Sequence, residues 1–156
     1  MCLALYLGAE RPLPLLPYPE LPAGALDSPT WPLEAMRFHT AALHPEQEIV
    51  RRHFSVPHVV YAGSYEGCGC GFQYGREYPE DQTCERHLLV AAESLAALAE
   101  YLRRRRVREL FSGWHGEEAE LLGRVRGVTV EELIASDAPF PLGQWCELED
   151  GAGPAS

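Results

Sequence analysis

The sequence predicts an α+β fold, with one long helix packed on a face of a mixed or antiparallel sheet of about five strands. Short apolar runs recur along the chain, mostly without the long helical connections that parallel strands need. Residues 84–105 instead repeat apolar side chains every three or four positions, which is typical of an amphipathic helix. The 156 residues fit one domain, which buries roughly 68–70% of its unfolded surface without help from a metal or a disulfide.

Three strands are expected before the long helix, each an apolar run bounded by glycine or proline. They span residues 2–7, 36–43 and 58–62. Between the second and third strands, Pro45 is expected to open a short helix, because proline is favoured in the first helical turn. Ile49 and Val50 would form the buried side of that helix.

The long helix is expected to face the sheet with a single apolar stripe. The stripe consists of Cys84, Leu88, Ala91, Leu95, Leu98 and Leu102. Two further strands are expected at residues 107–112 and 140–148, and a short helix at residues 131–135. Residues 117–127 fit neither pattern. The sequence thus predicts one domain over residues 1–148 and a flexible tail over residues 149–156.

Composition excludes several classes of partner. The formal charge of −10 argues against nucleic acid and anionic membranes, because both bind basic surfaces. The apolar residues 2–8 carry no basic residue and are too short for a signal peptide or a membrane span, which predicts a cytoplasmic protein with reduced thiols. The chain contains no lysine and no asparagine. Both residues have AT-rich codons, so a GC-rich bacterial genome is expected.

The segment 67–71, Gly-Cys-Gly-Cys-Gly, carries the most distinctive chemistry of the chain. Cys68 and Cys70 can bind a metal, attack an electrophile or exchange disulfides. Gly67, Gly69 and Gly71 allow a tight turn and a close approach of other groups to the backbone. The sequence therefore predicts that this loop is the functional site.

Three uses of the loop stay open. In the first, Cys68 and Cys70 bind zinc together with Cys84 and His87, which lie three residues apart on one helix face and complete a three-thiolate, one-imidazole set. In the second, the loop is a metal-free reactive thiol site whose N–H groups stabilise a thiolate. In the third, it is a structural turn whose cysteines fill apolar gaps. A metal would require a third Cys or His ligand about 4 Å from both loop sulfurs.

Other side chains are secondary candidates. His58 opens the third strand and can act as a base or a ligand. His115 follows a strand end, where Glu117 or Glu118 could orient it for a nucleophilic cysteine. Cys2 would become an N-terminal nucleophile if the first methionine were removed, but its apolar strand predicts a thiol less accessible than those of the loop.

Four aromatic side chains surround the loop in sequence. Tyr61, Tyr65, Phe72 and Tyr74 would suit a small-ligand pocket beside a glycine-shaped loop, and they would equally suit ordinary core packing. A second function therefore stays open, in which the protein is a non-catalytic binding or self-association module that uses this aromatic surface.

Three segments carry a resemblance to a known family. They are MCLALY at the start of the chain, FSVPHVVY at residues 54–61 and GCGCGF at residues 67–72. Together they resemble a family of uncharacterised small bacterial proteins, over most of the chain. The resemblance implies a bacterial, soluble, single-domain protein and assigns no catalytic residue. Cys84 and His87 lie outside the segments that carry it.

Overall fold

A mixed sheet forms the centre of the protein. The computed structural model describes residues 2–18, 38–73 and 85–149, and within these the sheet has six strands. They are β1 (Leu3–Ala9), β2 (Phe38–Ala41), β3 (His58–Ser64), β4 (Glu109–Trp114), β5 (Gly123–Val128) and β6 (Gln144–Leu148). Their order is β2-β3-β1-β4-β6-β5, and only the β5–β6 pair is parallel. The predicted α+β class is confirmed.

The strand β1 lies at the middle of the sheet, between β3 and β4. All seven of its residues are buried. Because successive side chains of a strand point to opposite faces, Leu3, Leu5 and Leu7 belong to one core cluster, and Ala4 and Tyr6 belong to a second. The continuous apolar run at the start of the chain is therefore explained by a sheet that is covered on both faces.

Helix α1 (Glu85–Arg104) covers the first face of the sheet. Most of the expected stripe is buried, namely Ala91, Leu95, Leu98 and Leu102. Leu88 is 39% exposed, so its assignment to the buried stripe was wrong, and burial along this side of the helix begins one turn later, at Ala91. Cys84 lies outside the described residues. The short helix α2 (Val130–Ala135) joins the same layer through Val130 and Leu133.

A 3₁₀ helix (Pro45–His53) covers the opposite face. Val50 is fully buried there, within the cluster of Tyr6 and Phe111. The expected burial of Ile49 was wrong, since this side chain is 44% exposed. With three residues per turn, positions i and i+3 lie in line, so Val50 and His53 form the buried side and Ile49 is turned away.

Two strand boundaries differ from the sequence expectation. The last strand begins at Gln144 rather than at residue 140, because residues 136–140 form bends. β5 overlaps the end of the ambiguous segment 117–127 and ends one residue after it. It carries no alternating apolar pattern, because most of this edge strand is exposed.

Residues 150–156, which make up most of the expected flexible tail, lie outside the described residues. In the part of the chain that the structure describes, no helix is long and apolar enough to cross a membrane.

Replacing Leu98 by alanine should lower the free energy of unfolding by about 2–5 kcal/mol, the usual effect of emptying a buried leucine site. Leu98 is fully buried between α1 and the sheet. Leu89 on the same helix is 54% exposed, and Leu89→Ala is the matched control, expected within about 0.5 kcal/mol of the wild type. Urea denaturation of the two variants measures the difference. Equal losses would mean that α1 packs through another face.

Candidate metal centre

Three cysteine thiols converge at one end of the sheet. β1 and β3 are antiparallel, with Leu5 opposite Ala62, so the start of β1 lies beside the loop that follows β3. The sulfur atoms of Cys2, Cys68 and Cys70 all lie within 4.8 Å of one another. The third Cys or His group that a metal would require beside the loop sulfurs is therefore present, and it is the thiol of Cys2.

The turn before the loop is closed by hydrogen bonds around Ser64. Its backbone N–H and its hydroxyl both donate to the Cys68 carbonyl, at 2.9 and 2.6 Å, and the Gly67 N–H donates to the Ser64 carbonyl at 3.0 Å. Gly67 has φ +86°, a conformation that costs glycine little and other residues more. The Tyr61 hydroxyl donates to the Gly67 carbonyl at 2.8 Å, which holds the turn against the sheet.

The loop then continues as a second 3₁₀ helix (Gly69–Phe72), with Cys68 at its N-cap. A Cβ atom at position 71 would collide with the Ser64 hydroxyl and lie 2.8 Å from the Tyr65 ring, so only glycine allows this approach. The Leu3 N–H donates to the Cys70 sulfur at 3.2 Å. The loop is therefore attached directly to the central strand.

The two loop thiols have different protonation behaviour. The Cys68 thiol donates to the Cys70 sulfur and lowers the pKa of Cys70 to about 6, helped by the Leu3 N–H and opposed by burial. The same interaction, together with burial, raises the pKa of Cys68. The opposite directions of these two pKa shifts favour ionisation of Cys70 before Cys68.

Accessibility of the thiols differs from the sequence expectation. Cys2 is exposed, Cys70 is half-buried and Cys68 is buried. The expectation that Cys2 is less accessible than the loop thiols was wrong, because β1 begins at Leu3 and Cys2 lies beyond the part of the strand that both layers cover. Cys146 is buried on β6, and burial raises its pKa to about 11.

The two helical ligands expected from spacing stay a prediction. Cys84 lies outside the described residues, and His87 falls on α1 in a part where the side chains are not described. His58 is half-buried at the opposite end of β3, opposite Ala9. At about 3.3 Å per residue, it lies about 20 Å along the strand from Ser64 and the cysteines.

His115 lies beside the cysteine cluster, in the turn after β4. Its backbone N–H donates to the Cys2 carbonyl at 3.0 Å. Its Nε2 is 3.4 Å from the Tyr61 hydroxyl, and its Nδ1 is 3.6 Å from Oε1 of Glu118. Of the two carboxylates expected from sequence, Glu118 rather than the exposed Glu117 contacts the ring.

Glu118 is a buried carboxylate, 5% exposed. The Tyr6 hydroxyl donates to its Oε1 at 3.0 Å and the Gly116 N–H donates to its Oε2 at 2.9 Å. The neighbouring Tyr61 hydroxyl has a raised pKa, first because of burial and then because of the charge that the three thiols can carry. A continuous polar chain therefore runs from Tyr6 through Glu118, His115 and Tyr61 to the cysteine loop.

Three of the four aromatic side chains expected to surround the loop are core residues rather than an exposed surface. Tyr61, Tyr65 and Phe72 are all buried, and Tyr74 lies outside the described residues. A cavity of about 230 Å³ lies elsewhere, between α2 and the sheet, and none of these aromatic residues lines it. The burial of the three rings favours core packing over a ligand surface.

No family model, curated protein or solved structure matches this chain. The resemblance to a family of small bacterial proteins therefore stays an expectation from sequence. The chemistry of the site consists of three thiols and an imidazole–carboxylate pair at the same end of the sheet.

In the reduced, metal-free protein, alkylation of Cys70 should reach half its maximal rate near pH 6, because the thiolate is the reacting form and the pKa of Cys70 is about 6. Cys146 should stay unmodified at pH 7, since it is buried and its pKa is about 11. Limited iodoacetamide labelling followed by peptide mass spectrometry measures both sites. A midpoint for Cys70 above pH 8 would contradict the donation by Cys68.

Gly71→Ala should destabilise the protein by about 1–3 kcal/mol, the usual cost of forcing an extra methyl group into a packed site. The displaced loop should also raise the pH midpoint of Cys70 alkylation. Gly123→Ala is the matched control, because nothing lies within 4 Å of its Cβ position. Thermal unfolding and labelling of both variants provide the comparison. A Gly71→Ala protein that behaves like the Gly123→Ala control would show that the loop adjusts freely.

Proposed function

We propose that the protein binds one soft metal ion, Zn²⁺ or Cu⁺, through the thiolates of Cys2, Cys68 and Cys70. The observation that carries this proposal is the mutual separation of the three sulfurs, all within 4.8 Å. Thiolates select zinc and monovalent copper over hard cations. Zinc–sulfur bonds of about 2.3 Å place ligand atoms about 4 Å apart, so the sulfurs need only a small contraction around an ion.

The surroundings of the three sulfurs support metal binding. Cys68 is buried and Cys2 is exposed. The site therefore has one ligand held inside the protein and one that an ion can reach from solvent. The turn that carries Cys68 is held by two donors from Ser64, and the Leu3 N–H contacts Cys70. Preorganised ligands lower the entropy lost on binding.

The metal is not needed for folding. Helix α1 and the first 3₁₀ helix cover the two faces of the sheet with extensive apolar clusters. A chain of this length folds without a stabilising disulfide or metal. Metal binding would add stability by mass action, in proportion to the logarithm of the free metal concentration. The proposed site is therefore functional rather than structural.

A reactive thiol is the second candidate function. The observation in its favour is the lowered pKa of Cys70, about 6, next to the exposed thiol of Cys2. A low-pKa thiolate near a second accessible thiol is typical of redox-sensitive cysteines. Fast alkylation of Cys70 in a protein that binds no metal would favour this candidate.

Titration of the reduced apoprotein with Co²⁺ should give one ion per chain and a thiolate-to-metal charge-transfer absorption. Alanine at position 2, 68 or 70 should lower the affinity for Zn²⁺ by more than the roughly 10–100-fold typical of outer-shell changes, because each variant removes a ligand. Cys146→Ala is the matched control, since this thiol is buried on β6, outside the cluster. Equal affinity in all four variants would contradict the proposed site.

A further inference from the structure

We propose that His115 is the fourth ligand of this metal centre and that Glu118 is the carboxylate that positions its ring. The inference rests on the three-thiolate site proposed above. Zinc takes four ligands in closed protein sites, and three cysteines with one histidine form a common set. No histidine belongs to the group of described side chains that meet within 4.8 Å, so the imidazole has to reach the ion by rotation of its side chain.

The pairing of β1 with β4 places His115 next to Cys2. Leu3 lies opposite Trp114 in this antiparallel pair, so the next pair along is Cys2 with His115. The hydrogen bond from the His115 N–H to the Cys2 carbonyl, 3.0 Å long, continues the ladder to that pair. Directly opposite residues carry their side chains on one face, with Cβ atoms about 4.5–5.5 Å apart. A thiolate and an imidazole at that spacing can both contact one ion.

The contacts of the ring leave it free to turn. The His115 side chain is 38% exposed, and its Nε2 faces the Tyr61 hydroxyl at 3.4 Å. That hydroxyl already donates to the Gly67 carbonyl at 2.8 Å, so it keeps a hydrogen-bond partner when the ring moves. Gly67 directly precedes Cys68. The Tyr61 hydroxyl thus lies between the turn that carries Cys68 and the Nε2 atom of His115.

Glu118 supplies the second half of the inference. Histidines that bind metal through one ring nitrogen usually donate the other N–H to a carboxylate, which fixes the tautomer and the ring orientation. Here the carboxylate lies on the Nδ1 side of the ring, with Oε1 3.6 Å from Nδ1, which leaves Nε2 for the metal. This separation is longer than a hydrogen bond, so the rotation that brings Nε2 to the ion would also have to bring Nδ1 within hydrogen-bond distance of Glu118. The Tyr6 hydroxyl and the Gly116 N–H hold the buried carboxylate in place.

Among the described side chains, His39 is the competing histidine ligand. It is 6% exposed, and its Nδ1 has no hydrogen-bond partner among the described residues. Its ring packs edge-on against Tyr18 at 4.7 Å between centroids and lies against Gly63. These contacts enclose the ring, whereas the exposed ring of His115 can rotate.

The test compares His115→Ala with His58→Ala, a histidine at the opposite end of β3. His115→Ala should lower the Zn²⁺ affinity at least about tenfold and change the visible bands of the Co²⁺-loaded protein, while Cu⁺ affinity, which three thiolates satisfy, should not change. His58→Ala should match the wild type. Glu118→Gln should weaken Zn²⁺ binding about 10–100-fold and leave the Co²⁺ spectrum four-coordinate, as expected of a positioning residue.

A direct readout needs no substitution. In the wild-type protein loaded with ¹¹³Cd²⁺, scalar coupling between the metal and the ring of His115 should appear in the NMR spectrum. Coupling to His39 or His87 instead, or no coupling to any histidine, would overturn the inference. Equal losses of Zn²⁺ and Cu⁺ affinity in His115→Ala would do the same, since they would reflect a damaged loop.

The cysteine variants separate this inference from the proposed function. If alanine at positions 2, 68 and 70 abolishes binding while His115→Ala leaves the affinity and the Co²⁺ spectrum unchanged, the three-thiolate site stands and the fourth ligand is wrong. If the cysteine variants themselves bind metal like the wild type, the proposed function fails together with the inference.

Discussion

The register of β1 between β3 and β4 is the constraint on which the fold and the site both depend. Every residue of β1 is buried, with Leu3, Leu5 and Leu7 in one core and Ala4 and Tyr6 in the other. A shift by one residue would exchange these two sets between the faces, so both cores oppose it. The same register holds Cys2 beside the loop and opposite His115. The site therefore takes its geometry from the hydrophobic core.

Two buried carboxylates on one face of the sheet have different roles. Glu109 accepts hydrogen bonds from the Ser55 N–H and the Trp145 Nε1, both at 2.9 Å, and these neutral donors account for its burial as part of the scaffold. Glu118 accepts from Tyr6 and Gly116 and also faces the ring of His115. In the proposed metal centre, Glu118 would in addition orient the imidazole of His115, a contact that Glu109 does not have.

The fold could be predicted further than the site, for a physical reason. The spacing of apolar residues along the sequence reflects which side chains are buried, so β1 and α1 could be predicted. β5 was missed because it is an exposed edge strand and has no such spacing. The loop of Cys68 and Cys70 was visible as a local motif. Its partner Cys2 was not, because the contact depends on which strands pair, and sequence spacing carries no such information. Local spacing favoured Cys84 and His87, although it reports only that two residues share a helix face.

The start of β1 and the cysteine loop are far apart along the chain, so a metal ion bound between them would act as a cross-link. Leu3 and Cys70, already in contact, are separated by 67 residues. An ion that bridges Cys2 to the loop would close a ring of similar size, and the loop-entropy relation for cross-links gives about 4 kcal/mol for such a ring at 25 °C. A proteolytic nick inside this ring would then leave two fragments held together by the ion as well as by the pairing of β1 with β3 and β4.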